Sequence, residues 1–390
     1  MACEQVTLQD VCELIVDCPH TSTKDEGVGY PLIRTPNVGR GRLILTDVHR
    51  VSQDVYERRV SRAVPRQGDL ILAREAPAGN VAIVPPGIEV CLGQRTMLLR
   101  PDSSFVVPEY LNYYLNAPEQ RDRMLRLANG ATVSHINVAD IRNMPVQLPS
   151  RGEQSKVAEL LNVLDDKIDL NNRLNDYLEQ LVDGKFQELF GGLNFNATLS
   201  DVAEITMGQS PAGSSYNEEG AGIIFYQGRG EFGWRFPKRR LYTTEPKRLA
   251  CEGDVLMSVR APVGDLNVAF ENCCIGRGLA AIHSETPSFA LYLMRFLKPQ
   301  LEAYNGEGTV FGSINGKALK SLEVALPSHN EVMQFESFAA PIDALIRSNE
   351  NETRKLNNLR NYLLPKLMSG EIDVSKVDLT QLTNNHLADY

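Results

Sequence analysis

The chain has 390 residues, 43% hydrophobic and 23% charged, with a formal net charge of −9. That length exceeds one ordinary core, so two or three domains are expected. No apolar stretch reaches the roughly 18 residues of a membrane-spanning helix, and MACEQVTLQDVCELIVD at the start has neither the basic lead nor the apolar run of a secretory leader.

Seven cysteines (Cys3, Cys12, Cys18, Cys91, Cys251, Cys273 and Cys274) follow no CxxC spacing. Reduced thiols in a cytoplasmic protein fit this better than disulfides or a zinc site. Residues 1–150 hold PLIRTPNV, DLILAR, NVAIVPP and TMLLRP, short apolar runs punctuated by Gly and Pro that read as strands. PEYLNYYLNA (108–117), with Pro in its first turn, reads as a short helix. Residues 151–190 change period. Val157, Leu161, Leu164 and Ile168, then Leu174, Leu178 and Leu181, recur every three or four positions, with Asn171 on the same stripe, as in a helix that pairs with another helix. Residues 191–328 return to strand-like runs (GIIFYQ, DVLMSV, LNVAF) and one helix candidate, PSFALYLMRFL (287–297). Residues 329–370 form the second helical stripe, with Ile342, Ile346, Asn349, Leu356 and Leu359; Pro341 is expected to bend or restart it. Residues 371–390 read as a loosely held polar tail.

The chain is one unit written twice. VTLQDV matches ATLSDV, GDLILAREAPAGNVAIV matches GDVLMSVRAPVGDLNVA, and VCLGQRTMLLRP matches CCIGRGLAAIHS. GATVSHINVADIRNMPVQLPS answers GTVFGSINGKALKSLEVALPS, and each copy then enters its long helix. From Ile136/Ile314 to Ile168/Ile346 the offset holds at 178 residues, and Asn171 and Asn349 share it. Asparagine on an apolar seam sets register at a cost in stability; a solvated kink is the plainer alternative. Charge divides with the repeat. Residues 1–150 carry 16 basic and 17 acidic side chains, 15 of the basic ones Arg, while the acidic excess concentrates in the helical segments. The balanced segments can therefore gather positive charge on one face, although a GC-rich genome also yields an Arg-rich chain.

Catalytic motifs are scarce. GRGEFG (228–233) fits G-x-G-x-x-G but leads into WRFPKRRLYTTEP, which is no helix start, so a dinucleotide loop is not expected. No P-loop occurs, and the six histidines form no pair at metal-ligand spacing, so no catalytic set, metal or cofactor is expected on this chain. What remains is a set of basic and amide side chains on turns between strands. In the first copy they are Arg34, Asn37, Arg40, Arg42, Arg74, Gln94 and Arg95. In the second they are Gln227, Arg229, Trp234, Arg235, Lys238, Arg239, Arg240, Arg260 and Arg277. Arg reads guanine and Asn or Gln reads adenine in the major groove, whereas Lys238, Arg239 and Arg240 suit phosphate contacts that position without specifying.

In this doubled order the segments resemble the specificity subunit of type I DNA restriction–modification systems over about residues 1–370. The resemblance implies an α+β chain in which two mostly-β target-recognition domains (1–150 and 191–328) are separated by two long antiparallel coiled-coil helices (151–190 and 329–370), with an internal pseudo-twofold repeat. It implies a non-catalytic subunit that recognises a bipartite, asymmetric target in double-stranded DNA. Its partners would be two methyltransferase subunits and, in the full complex, restriction subunits. S-adenosylmethionine, ATP and Mg would then belong to those partners. One departure is Glu75, which stands where the second copy has Arg260. Two other readings stay open: the recognition part of a fused methyltransferase–nuclease, which should carry a catalytic domain ahead of the first copy, and a scaffold whose β domains bind protein or sugar.

Overall fold

Both Gly-Asp segments fold alike, for one local reason. Gly68 and Gly253 carry φ of +84° and +88°, a region L side chains avoid, and the chain turns there into a strand. Asp69 and Asp254 accept the backbone N–H of Arg66 and Cys251, at 2.9 and 2.8 Å. The strands that follow, Leu70–Ala73 and Val255–Ser258, are wholly buried. Leu70 faces Leu99 on one side and Ile83 on the other; Val255 faces Ile282 and Val268. The register is the same in both copies.

The computed structural model describes residues 4–128, 135–305 and 312–376. Parts of the repeated GATVSHINV and GTVFGS segments, Cys3 and most of the tail lie outside the described residues. The chain divides into two units, Met1–Asp169 with Thr353–Tyr390, and Leu170–Glu352.

In the first unit a five-stranded sheet runs in the order Cys12–Asp17, Thr96–Pro101, Leu70–Ala73, Val81–Ile83, Gly41–Arg42. In the second unit the sheet is Glu204–Met207, Leu279–His283, Val255–Ser258, Leu266–Val268, the same order without the last strand. Each unit adds a second sheet built on a parallel pair, three-stranded around Tyr30–Ile33 with Cys91–Leu92 and five-stranded around Ile223–Tyr226 with Cys273–Ile275. The expected short helices are Pro108–Asn116 and Pro287–Phe296. Residues 228–233 form a 3₁₀ turn at Arg229–Glu231, and no α-helix follows before Pro287–Phe296.

The helical stripes become Arg151–Phe190 and His329–Met368, 40 residues each, or about 60 Å of helix. Pro341 does not restart the second one. It sits on an exposed position, and Ser337, whose carbonyl loses its usual donor there, is exposed too, so water can serve that oxygen. Within the first unit Val157, Leu160 and Leu161 share a core with Tyr110, Tyr114 and Leu367. Within the second, Val182, Phe186 and Phe190 pack with Phe289, Phe335 and Ala339. Leu161, Leu164, Ile168, Asn171, Ile346 and Asn349 are buried, and Leu178, Ile342 and Leu356 are half-buried. Leu359 is 45% exposed and leaves the seam; its neighbour Arg360 reaches a carboxylate instead, donating to Asp165 at 2.7 Å.

The two asparagines do not occupy matching roles. Asn349 Nδ2 donates to Asn175 Oδ1 at 2.8 Å, while Asn171 Nδ2 donates to Glu352 Oε2 at 2.8 Å. Rising numbers on one helix meet falling numbers on the other, so these segments are antiparallel. Asn175→Ala is expected to cost about 1–3 kcal/mol in urea unfolding, since it strands the buried Asn349 amide. Replacing Asn175 and Asn349 together by leucine should recover most of that loss. The start of the tail is not loose: Ile372 and Val374 join the core of the first unit, Val374 at 1% exposure. Among the described residues no helix is long and apolar enough to cross a membrane.

Candidate nucleic-acid interface

In each unit three turns are sewn together by one hydrogen-bond frame. In the first, Arg74 N–H donates to Arg95 O at 2.8 Å, Ile136 N–H to Arg74 O at 3.2 Å, and Gly93 N–H to Ile33 O at 2.8 Å. In the second, Val259 N–H donates to Gly278 O at 3.0 Å, Ile314 N–H to Val259 O at 3.1 Å, and Gly276 N–H to Tyr226 O at 2.8 Å. Close approach requires glycine at the crossing. A Cβ on Gly276 would sit 2.6 Å from Gln227 O, and one on Gly93 would sit 2.9 Å from Ile33 O. The Ala76–Pro77 and Ala261–Pro262 peptides on these turns are both cis. The frame therefore brings Arg34, Glu75, Gln94 and Arg95 together in the first unit. In the second it brings together Gln227, Arg260 and Arg277.

The frame is shared but its tips are not. In the first unit Arg95 Nε pairs with Glu75 at 2.9 Å, so the acid that replaces Arg260 of the second copy neutralises a neighbouring arginine. Gln94 is exposed and its Nε2 donates to His20 O at 2.8 Å. Arg34 is half-buried and Arg40 is exposed, both without an ion pair among the described residues. In the second unit Gln227, Arg260, Arg277 and Lys238 are exposed without side-chain partners among the described residues. Arg229 pairs with Asp265, Arg239 with Glu271 at 2.6 Å, and Arg240 with Glu231 at 2.9 Å and Glu218 at 3.4 Å. Trp234 is 42% exposed.

Four candidates are committed elsewhere and leave the set. Asn37 is buried; it donates to Ile44 O at 3.1 Å and accepts Arg34 N–H at 3.2 Å, holding its own turn. Arg74 is pinned to Asp17 at 2.7 Å and to Ile136 O at 2.9 Å. Arg42 pairs with Asp166 at 2.6 Å and with Asp169, both on the first long helix. Arg235 is 4% exposed and pairs with Glu179 at 3.1 Å and Asp343 at 3.0 Å, while donating to Tyr292 Oη at 3.1 Å. Burial alone would lower the Arg235 pKa; Tyr292, Asp343 and Glu179 more than offset it, and the group stays charged.

These contacts belong to a latch that residue types alone did not announce. Tyr113 Oη donates to Asp165 at 2.8 Å in the first unit, and Tyr292 Oη donates to Asp343 at 3.1 Å in the second. Both phenols are pushed up by burial, and the facing carboxylate adds to the effect in each. A long-helix side chain also caps each short helix. Gln154 accepts Val107 N–H at 2.8 Å, and Glu336 accepts Ser288 and Phe289 N–H at 3.2 and 2.8 Å. A carboxylate there meets the positive end of the helix dipole, although burial raises the Glu336 pKa. Each unit is thus a rigid β platform bolted to its helix segments, with polar turn tips left to make outside contacts.

The family model of the type I restriction modification DNA specificity domain matches residues 2–180 and 196–361. A Methanocaldococcus jannaschii protein, provisionally named the type I restriction enzyme MjaX specificity subunit, is 31% identical over 94% of this chain and 93% of its own. The MjaIX specificity subunit of the same organism is 22% identical over 85% and 84%. The crystal structure of a type I restriction–modification system S subunit from M. genitalium shares the fold, with a TM-score of 0.63 at 15% identity over 94% of this chain and 96% of its own. Two repeats on one register, each matched by the same domain model, have one reading: the chain belongs to the type I restriction modification DNA specificity domain family.

Proposed function

We propose that this chain is the DNA-reading subunit of a cytoplasmic type I restriction–modification complex, with residues 1–150 and 191–328 each reading one half of a bipartite, asymmetric target. In this reading it performs no chemistry. It directs adenine methyltransferase subunits, and restriction subunits where present, to the site, and S-adenosylmethionine, ATP and Mg belong to those partners. The observation that carries the reading is the common hydrogen-bond frame with unlike tips, Glu75 paired to Arg95 in one unit and unpaired Arg260 and Arg277 in the other. A fixed frame with variable tips is what two readers of different half-sites need, because base contacts specify and the platform only positions.

The long helices fit a protein-facing role as spacer and dock. Leu170, Leu174, Tyr177 and Leu181 recur at spacings of four, three and four on one face, and are 58%, 38%, 69% and 54% exposed. An exposed apolar stripe flanked by acids suits two methyltransferase subunits better than phosphate.

Binding of the full chain to duplex DNA should weaken steeply with rising salt, as counterion release demands. Lys238→Ala should lower the slope of log affinity against log salt by about 1 with base preference unchanged. Methylome sequencing of cells with and without the gene should show one bipartite adenine motif disappearing. An unaltered methylome with a flat salt response would sink the reading and favour a protein-binding scaffold.

A further inference from the structure

The repeat has been rewritten at one place outside the turn tips. In the first copy Asp69 accepts two bonds from Arg100, at 2.9 and 2.8 Å, and Arg66 supplies the turn N–H. The strand register maps Arg100 onto His283 and Arg66 onto Cys251. Asp254 Oδ1 lies 2.6 Å from His283 Nδ1, its Oδ2 accepts Cys251 N–H at 2.8 Å, and donor atoms of all three side chains fall within 4.8 Å of one another. A permanent arginine–carboxylate pair has become a thiol, an imidazole and a carboxylate around one point.

We propose that Cys251, Asp254 and His283 form a binding site for a borderline-soft divalent cation, Zn²⁺ or Co²⁺. Thiolate with imidazole selects such ions over Mg²⁺ or Ca²⁺, and three protein ligands leave a fourth position to water. Asp254 is buried and fixed by its turn, which preorganises one donor, whereas Cys251 is exposed and His283 more than half exposed, so both can adjust. An ion between Nδ1 and Oδ1 needs their separation to open to about 3.3 Å, that of two tetrahedral ligands about 2.0 Å from the metal. The Cys251 thiol proton leaves to water on binding. Because Glu252 on the same turn pairs with Arg347 of the second long helix at 2.6 Å, the ion would tie the end of the Leu279–His283 strand to a turn already fastened to that helix.

The test uses the full chain, stripped with a chelator and titrated with Co²⁺, then with Zn²⁺ in competition. The expected result is one equivalent bound with a thiolate-to-cobalt charge-transfer band. Cys251→Ser should abolish the band. His283→Arg restores the pair present in the first copy, so it should keep the melting temperature of the metal-free protein and bind the ion at least about 10-fold more weakly. Burial pushes up the thiols of half-buried Cys12 and buried Cys91, to about 12 and about 11, and loss of the band in Cys251→Ser excludes them as its source. Should His283→Arg fail to fold, Cys251→Ser decides alone, because its thiol makes no hydrogen bond among the described residues. No stoichiometric binding, or a band that survives Cys251→Ser, would overturn the assignment.

Discussion

Replacing Arg235 by alanine is expected to destabilise the Leu170–Glu352 unit by about 3–5 kcal/mol, the cost of leaving a buried charge network without its centre. The side chain is 4% exposed, so solvent screens little of the interaction. Its loss takes the cationic partner from Asp343 and leaves it the Tyr292 hydroxyl, and it opens space beside the Trp234 and Tyr292 rings, each 5.6 Å from the guanidinium carbon. Glu179 keeps a partner in Arg295 at 2.8 Å, which softens the effect on that acid. The neighbouring Arg295→Ala should cost less, since Arg295 is 32% exposed and water can replace it. Urea unfolding of the full chain separates this reading from the one its sequence position suggested. A residue that only touched DNA would leave the unfolding midpoint unchanged and lower DNA affinity alone. An unchanged midpoint in Arg235→Ala would therefore return this residue to the DNA-facing set.

Arg235 and Arg42 lie in segments whose sequence suits DNA, yet both turn to carboxylates of the long helices. An arginine on a turn beside aromatic and basic neighbours looks the same in sequence whether it faces phosphate or a carboxylate far along the chain. The deciding partners lie on the long helices, Asp166 and Asp169 for Arg42, Glu179 and Asp343 for Arg235. A signal was present. Asp165 and Asp343 share the 178-residue offset of the helices, and Tyr113 and Tyr292 hold matching places in the short helices. Read together they announce the latch. The doubled strands and the helical stripes were plain because they rest on periodicity, which burial enforces along every turn. The outer strands Cys12–Asp17 and Glu204–Met207 were not read, because edge positions are only partly buried and the first carries a register shift between Cys12 and Leu14. Pro341 does not restart its helix, because the freed Ser337 carbonyl is on an exposed position that water can reach, which sequence does not state. The Cys251–Asp254–His283 cluster escaped the spacing rules because its third member arrives through strand pairing, not through local sequence.

Arg260→Ala is expected to cost about 1–3 kcal/mol of DNA binding and to relax base preference within one half of the target only. The argument rests on what surrounds the residue. Arg260 follows a fully buried strand, is anchored by a backbone bridge to Ser313, and is exposed with no acid beside it among the described residues. Such a guanidinium is free to make a bidentate contact with guanine, the commonest specific contact in the major groove. Arg240, by contrast, already spends its charge on Glu231 and Glu218. Its removal should leave base preference intact. Binding measured on a panel of targets altered one base pair at a time separates the two. Loss of discrimination at a single position marks a base reader; a uniform loss across all sequences marks a phosphate contact. The first unit supplies the reciprocal test, because there Glu75 occupies the Arg260 position and holds Arg95. Glu75→Ala should release Arg95, raise affinity for non-specific duplex at low salt, and blur preference in the opposite half of the target. If Arg260→Ala and Glu75→Ala altered the same half, the assignment of one half-site to each repeat would fall while the shared frame of turns stood.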